Sequence, residues 1–356
     1  MKKVMIIAGT RPEWIKLISV IKELKKQKDI KTIICNTGQH KELSDEILDL
    51  FKIKSDYNLH IMKRKQSLSY ILTKCVSLLD NVIQKEKPDY ICVLGDTSTA
   101  LSGALSGFNN KVPIIHIEAG VRSKDQNSPY PEEMNRRLIT QLATYHLCEC
   151  QDHLDNLIKE GKRGIVVGNT GADAIKLIKV NKKKKNLVLI TMHRRENWGK
   201  NMKEICEAIS CLAFYEPNNK YIVLCHPNPI VYNTVKKSLD KLPNLVIKTA
   251  MRYDKFIKTL GSAKMVISDS GGIGMEAPLV KTPIMIIRDF YENTIVTKLN
   301  LGKVVGCTNS TQIFSNIFDV LVNSEKLKAM TKNKLPNSDG KACKRIVKFI
   351  EKLEGN

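Results

Sequence analysis

The stretch His116-Ile-Glu-Ala-Gly-Val-Arg-Ser-Lys-Asp-Gln-Asn-Ser-Pro-Tyr-Pro-Glu-Glu-Met-Asn-Arg-Arg137 reads as a strand end, a Pro-punctuated loop and the first turn of a helix. It gathers carboxylates (Glu118, Glu132, Glu133) and guanidinium groups (Arg122, Arg136, Arg137) where an open α/β sheet builds its active site. A core-facing segment would not carry that charge. The choice is between a catalytic, anion-binding crevice and a solvated loop, and loops in general are more often the latter. Company tips the balance, because four other segments of the same character recur at strand ends.

Around this stretch, short Val/Ile-rich runs alternate with amphipathic segments of helical period, the pattern of βα units and parallel sheets. The expected strands are Val4 to Ala8, Thr32 to Asn36, Tyr90 to Leu94, Ile114 to Glu118 and Ile165 to Gly168. After the lysine run Lys182 to Lys185 the pattern restarts with Leu187 to Thr191, Tyr221 to Cys225, Leu245 to Lys248, Met265 to Ser268 and Ile284 to Ile287. The restart implies two Rossmann-like halves, expected over residues 1–172 and 173–339. Gly340 to Leu353 reads as a basic amphipathic helix packed against one of them, with the first half as the candidate.

A chain of 356 residues fits two domains of common size. With 42% hydrophobic and 26% charged residues, it should be soluble and folded. The net charge of +22 suits a polyanionic partner. Much of the excess is lysine on expected helix faces, and neither a basic helix interleaved with aromatics nor a zinc-finger spacing is present, so no nucleic acid is expected. The 10 cysteines lack a Cys-x-x-Cys pair and the density of a secreted disulfide scaffold. Lys2 and Lys3 precede an apolar run too short for a signal peptide, and no stretch approaches the roughly 20 apolar residues of a membrane span. A cytoplasmic location is the expectation.

Five motifs carry the chemistry. Gly9-Thr10-Arg11-Pro12-Glu13-Trp14-Ile15-Lys16 reads as a tight turn opening a helix, where free amides with Arg11 and Lys16 make an anion site. It is not Gly-x-Gly-x-x-Gly, so a dinucleotide-dependent oxidoreductase is unsupported. Gly95-Asp96-Thr97 places Asp96 at the carboxyl edge of the sheet, and Glu118 ends its own strand in the same way. Two such carboxylates on neighbouring strand ends would shift each other's pKa values, a preparation for acid and base work. Glu132 and Glu133, at the next helix start, are caps or reactants. Thr191-Met192-His193-Arg194-Arg195-Glu196-Asn197 ends a strand with a histidine and two cations, and His226-Pro227-Asn228-Pro229 ends the next. In Ser268-Asp269-Ser270-Gly271-Gly272-Ile273-Gly274-Met275-Glu276-Ala277-Pro278, Gly271 and Gly272 admit close backbone approach, the helix amides suit phosphate, and Glu276 suits a ribose diol.

In order and spacing these stretches, with Thr37-Gly38-Gln39-His40 and Gly168-Asn169-Thr170, resemble the bacterial non-hydrolysing UDP-N-acetylglucosamine 2-epimerases over essentially the whole chain. The resemblance implies a glycosyltransferase-B-like fold of two Rossmann-like domains facing across a cleft, and a homodimer. It implies interconversion of UDP-GlcNAc and UDP-ManNAc through loss of UDP to a 2-acetamidoglucal and re-addition. Carried over by position, Asp96, Glu118 and Glu132 are acid/base candidates and His193 assists at the phosphate. Arg11, Lys16, Ser270, Gly271, Gly272 and Glu276 match nucleotide contacts, and Phe256 a position beside the uracil. Gln39, His40, Arg194 and His226 match a possible activator site. The reaction requires no redox cofactor and no metal.

The chain departs from the family pattern at several positions. Gly274-Met275 stands where Gln-Glu is usual, and Phe290-Tyr291-Glu292-Asn293-Thr294 where Thr-Thr-Glu-Arg-Pro is usual, so Asn293 replaces an arginine. Glu46 occupies a position that is often Gln. The alternatives are a hydrolysing relative releasing ManNAc and UDP, a 2-epimerase of a modified UDP-sugar, and, from another class, a non-catalytic nucleotide-sugar-binding protein.

Overall fold

The computed structural model describes residues 1–354 apart from 64, 65, 124, 182, 227, 292 and 293; for Lys41, Arg195 and Ile230 it describes the backbone alone. The chain divides into two units, Met1–Leu177 with the segment from Pro336 onward, and Ile178–Leu335.

In the first unit the strands are β1 (Lys2–Ala8), β2 (Ile30–Asn36), β3 (Tyr57–Asn58), β4 (Tyr90–Leu94), β5 (Ile114–Ala119), β6 (Tyr145–Cys148) and β7 (Ile165–Val166). They form one parallel sheet in the order β3-β2-β1-β4-β5-β6-β7. Its helices are α1 (Arg11–Leu24), α2 (Lys41–Leu50), α3 (Leu68–Glu86), α4 (Ser98–Asn109), α5 (Glu132–Leu142), α6 (Gln151–Lys159) and α7 (Thr170–Lys176). All five residues of β4 and Val4 to Ala8 of β1 are buried, as expected for strands covered on both faces. That double burial is why these strands read as continuous apolar runs. β6 was not expected: it is short, and His146 interrupts its apolar signal. It nonetheless lies between β5 and β7, with Ala119 opposite Cys148.

The second unit holds β8 (Leu187–Met192), β9 (Lys220–Cys225), β10 (Leu245–Lys248), β11 (Met265–Ser268), β12 (Ile284–Ile286) and β13 (Gly302–Val304). These are parallel in the order β10-β9-β8-β11-β12-β13. The helices are α8 (Lys200–Tyr215), α9 (Pro229–Leu239), α10 (Tyr253–Ser262), α11 (Gly271–Leu279), α12 (Thr294–Lys298), α13 (Ser310–Leu321) and α14 (Ser324–Ala329). Strand order reverses between β1 and β4 in one unit and between β8 and β11 in the other. Outside the carboxyl ends of such strand pairs an open α/β sheet leaves its binding crevice.

The last helix, α15 (Ala342–Lys352), returns to the first unit and buries Ile346, Val347 and Ile350. Lys2 Nζ donates to the carbonyls of Ile350 (2.8 Å) and Glu351 (3.1 Å), a cation where the helix dipole favours one. The Asn169 amide donates to the Asn337 carbonyl at 2.9 Å. Among the described residues no helix is long and apolar enough to cross a membrane, and no group of three His, Cys, Asp or Glu is placed to hold a metal ion.

Candidate functional site

At the switch point of the first sheet, β1 runs through Gly9 and Thr10 into α1. Glu13 holds this turn: its Oε2 accepts from the amides of Gly9 (3.1 Å) and Thr10 (2.8 Å) and the Thr10 hydroxyl (2.7 Å), while Oε1 accepts from the Thr97 hydroxyl at 2.7 Å. Burial raises the Glu13 carboxyl in spite of these bonds. One turn further, Lys16 reaches Glu118, its Nζ 2.5 and 2.6 Å from the two carboxylate oxygens.

Glu118 occupies an irregular point of β5, where the register with β6 shifts between Ile117 and Ala119 and its own φ is +65°. Left-handed backbone at a non-glycine residue costs of order 1–3 kcal/mol and gathers at functional sites. Here it turns the carboxylate toward α1.

Asp96, past the end of β4, accepts from Arg136 Nε at 3.1 Å and from a second guanidinium nitrogen, and its carbonyl accepts from Asn135 Nδ2 at 2.9 Å. Desolvation, aided by the charge of Glu118, holds its carboxyl above the ordinary value although Arg136 and Lys16 pull it down. For Lys16 desolvation favours the neutral amine, but Glu118, Glu149 and Asp96 together outweigh it and leave the ammonium harder to deprotonate than an ordinary lysine. The cluster therefore sets two cations, Lys16 and Arg136, among Asp96, Glu118 and Glu149, the electrostatic arrangement expected of proton-transfer sites.

The two glutamates at the start of α5 differ in surroundings. Glu133 is fully buried, accepting from the Ser123 amide (2.9 Å), Arg136 Nη1 (3.1 Å) and Arg137 Nε (2.8 Å), and so fixes the preceding loop and both arginines. Glu132 is half-buried beside it. His116 lies inside the sheet with Nε2 2.8 Å from the Gly95 carbonyl, and burial lowers its pKa to about 4, so it is a neutral support for that turn. Arg11 pairs loosely with Glu46 at 3.8 Å. Gln39 Oε1 accepts from the Thr99 hydroxyl at 2.7 Å, and the His40 amide donates to the Gly9 carbonyl at 2.8 Å, which places both beside the β1 turn. Burial lowers the His40 pKa.

In the second unit His193 follows β8 and Asp269 follows β11. Fully buried Asp269 stands 2.9 Å from His193 Nδ1 and accepts from the amides of His193 (3.1 and 3.2 Å) and Arg194 (3.0 Å) and from Asn197 Nδ2 (3.1 Å). Burial alone would raise this carboxyl, but the bonds from His193 and the amides more than compensate and lower it. A carboxylate on Nδ1 fixes the ring and leaves Nε2 to work.

Ser270 caps α11, its hydroxyl accepting from the Ile273 amide at 3.5 Å. A Cβ on Gly272 would meet only Ser270 Oγ, at 3.8 Å, so a ligand can approach the backbone. Glu276 accepts from the Tyr253 hydroxyl at 3.0 Å, and Phe256 lies one turn after Tyr253 on α10. His226 Nδ1 accepts from the Asn228 amide at 3.1 Å, and Arg194 Nη1 meets Glu196 at 3.1 Å.

The Gly274 and Tyr291 departures meet in space: a Cβ at 274 would fall 1.8 Å from the Tyr291 hydroxyl. Bulk missing on α11 is supplied from the segment after β12. The replaced arginine, Asn293, lies outside the described residues.

Within the first unit, then, the structure gathers Lys16, Asp96 and Glu118; within the second, His193 and the α11 amides stand at one switch point. Sequence reading missed Asp269, whose partner is 76 residues away, and Glu149, which follows the unexpected strand β6.

The family model described as UDP-N-acetylglucosamine 2-epimerase matches residues 22–351. A relative of that name from Campylobacter jejuni is 35% identical over 380 residues, covering 100% of this chain and 99% of its own. Another from Neisseria meningitidis is 36% identical, covering 98% and 99%. The crystal structure of UDP-GlcNAc 2-epimerase from Neisseria meningitidis bound to UDP-GlcNAc superposes with a TM-score of 0.89 at 35% identity, covering 99% of this chain and 100% of that one. The S. aureus MnaA-UDP structure gives 0.88 at 36% identity, covering 99% and 96%. Acinetobacter baumannii MurG, at 15% identity and a TM-score of 0.62, shares the fold alone. The chain belongs to the UDP-N-acetylglucosamine 2-epimerase family.

Proposed function

We propose that the protein interconverts UDP-GlcNAc and UDP-ManNAc without hydrolysis, as a cytoplasmic homodimer supplying N-acetylmannosamine units for surface polysaccharide. The observation that carries this reading is the Lys16–Glu118 pair beside Asp96 at the switch point of the first sheet. A carboxylate takes the C2 proton; the C2–H electrons form the C1–C2 double bond of 2-acetamidoglucal while the C1–O bond breaks and UDP leaves with its electron pair. Re-addition returns a proton to the opposite face of C2 as UDP oxygen attacks C1. Asp96, Glu118 and Glu132 are the acid/base set. Cations and an acid at the diphosphate lower the barrier to departure, a role for Arg11 and for His193 held by Asp269. The amides of Gly271 and Gly272 suit the phosphates, Glu276 the ribose, and Phe256 the base. Gln39, His40, Arg194 and His226 remain the candidates for an activator site.

Proton NMR of UDP-GlcNAc with the pure protein in D2O tests this. Signals of intact UDP-ManNAc with deuterium entering C2, lost in Glu118→Gln, support the reading. Free ManNAc and UDP would make the protein a hydrolysing enzyme, and retention of the C2 proton with no product would remove UDP-GlcNAc as substrate.

A further inference from the structure

We propose that Glu13 is a positioning residue: through Thr97 it fastens the turn that carries Asp96 to the turn that opens α1, and so places that carboxyl relative to Lys16. The inference rests on the epimerase reading and adds Glu13 and Thr97 to it. Glu13 is buried, and the donors that reach it, two backbone amides and two hydroxyls, are neutral. Its two oxygens serve different turns. Oε2 takes the Gly9 and Thr10 amides and the Thr10 hydroxyl, all within the β1–α1 turn. Oε1 takes the Thr97 hydroxyl at 2.7 Å, from the turn between β4 and α4 and 84 residues away in sequence. Thr97 is engaged twice, because its oxygen also accepts from the Ala100 amide at 3.0 Å as the cap of α4.

The surroundings tie this bond to the site. Asp96 immediately precedes Thr97, and Lys16 lies one turn after Glu13 on α1 with its Nζ on Glu118. The two turns are in close approach: a Cβ on Gly9 would fall 2.8 Å from Thr99 Oγ1, in the first turn of α4. On its other side Asp96 is held from α5, where Arg136 meets its carboxylate and Asn135 its carbonyl. Without the bond between Glu13 and Thr97, Asp96 would be placed by α5 and no longer by the helix that bears Lys16. Capping is the plainer role of both residues. It uses the Thr10 amide on Glu13 and the Ala100 amide on the Thr97 oxygen. The Thr97 O–H on Oε1 belongs to neither cap, and an exposed glutamate would close the first turn of α1 at less cost than a buried one.

The test uses full-length protein. Thr97→Val removes the donor at nearly constant volume, and Thr97→Ser keeps it. Thr97→Val should lower kcat about tenfold or more, in line with the cost of misplacing a reacting group, while KM for UDP-GlcNAc stays within about twofold and Thr97→Ser restores kcat. Glu13→Gln should act in the same way, and the double variant should be no slower than the slower single one. Asn309→Ala, which removes a cap from α13 in the second unit, controls for capping: it should lower stability and leave kcat unchanged. Wild-type kcat in Thr97→Val, a fall that Thr97→Ser does not restore, or losses that add in the double variant overturn the proposal. A second readout needs no turnover. Side-chain 13C NMR of aspartate-labelled protein, assigned with Asp96→Asn, should show the Asp96 carboxyl titrating at a different pH in Thr97→Val and at the wild-type pH in Asn309→Ala, because its value depends on burial and on Arg136, Glu118 and Lys16 around it. An Asp96 titration unmoved by Thr97→Val overturns the proposal. If wild type turns over no UDP-GlcNAc, the epimerase reading fails by that result alone, while the titration still decides whether Thr97 and Glu13 place Asp96.

Discussion

Replacing Asp269 by Asn preserves volume but removes the charge that organises the turn after β8. In the native unit its oxygens accept from two consecutive backbone amides, from Asn197 Nδ2 and from His193 Nδ1. In Asp269→Asn one oxygen still accepts from Arg194 and Asn197, now as a neutral group, while the new amide nitrogen confronts the His193 N–H. Charge-assisted bonds exceed neutral ones by about 1 kcal/mol each, and a buried donor without an acceptor costs about 1–3 kcal/mol. The sum is about 3 kcal/mol, which for a unit of this size lowers the melting temperature by roughly 6–12 °C. The pH dependence has a sign. Because the folded Asp269 carboxyl is lowered, its stabilisation is fully present above the unfolded value of about 3.9 and is lost as pH falls through the folded value. Calorimetry of wild type and variant should therefore show the full gap at pH 6 and a smaller one below about pH 4. A shift of less than about 2 °C at pH 6, or a gap that does not narrow in acid, refutes the assignment of Asp269 as the charged organiser of this turn.

Lys16→Met leaves Glu118, Asp96 and Glu149 without their shared cation. It should cost about 2–3 kcal/mol at pH 8, the value for breaking a buried pair reduced because Lys16 keeps part of its surface in water, and less at pH 5, below the value of about 7 to which burial and Glu118 push Glu149; urea unfolding at both pH values checks this. Glu133→Gln weakens the hold on Ser123, Arg136 and Arg137, and should lower stability by about 2 kcal/mol while speeding proteolytic cleavage in the loop before α5. Gly274→Ala should cost about 1–3 kcal/mol through collision with the Tyr291 hydroxyl but little in a Tyr291→Ser background; additive effects in that double-mutant cycle would disprove the contact.

Much of the fold was legible because parallel strands buried on both faces leave continuous Val/Ile runs, and because charged or glycine-rich residues at their ends mark the crevice side. Asp96, Glu118, His193 and Ser270 were placed at strand ends in that way, and the structure has them at or just past the ends of β4, β5, β8 and β11. What escaped depends on strand order, which one-dimensional periodicity does not carry. Asp269 read as part of a glycine-rich turn, and its hold on His193 follows only once β11 lies beside β8. Lys16 read as an anion ligand, and its pairing with Glu118 requires β1, β4 and β5 in succession. Glu149 was hidden behind a strand whose four residues include a histidine. Gly274 and Tyr291 were two separate departures in sequence and are one contact in space.

The return of α15 to the first unit has a consequence for biosynthesis. Chains usually complete their N-terminal domain first as they leave the ribosome. Here the second unit is encoded between two pieces of the first, so most of Ile178–Leu335 emerges while the surface that receives Ile346, Val347 and Ile350 is still bare. At about 5–20 residues per second that interval lasts on the order of 10–30 s. A chain truncated before residue 342 would hold every residue of the second unit and lack the helix that closes the first, inverting the usual order in which a growing polypeptide acquires its folded parts.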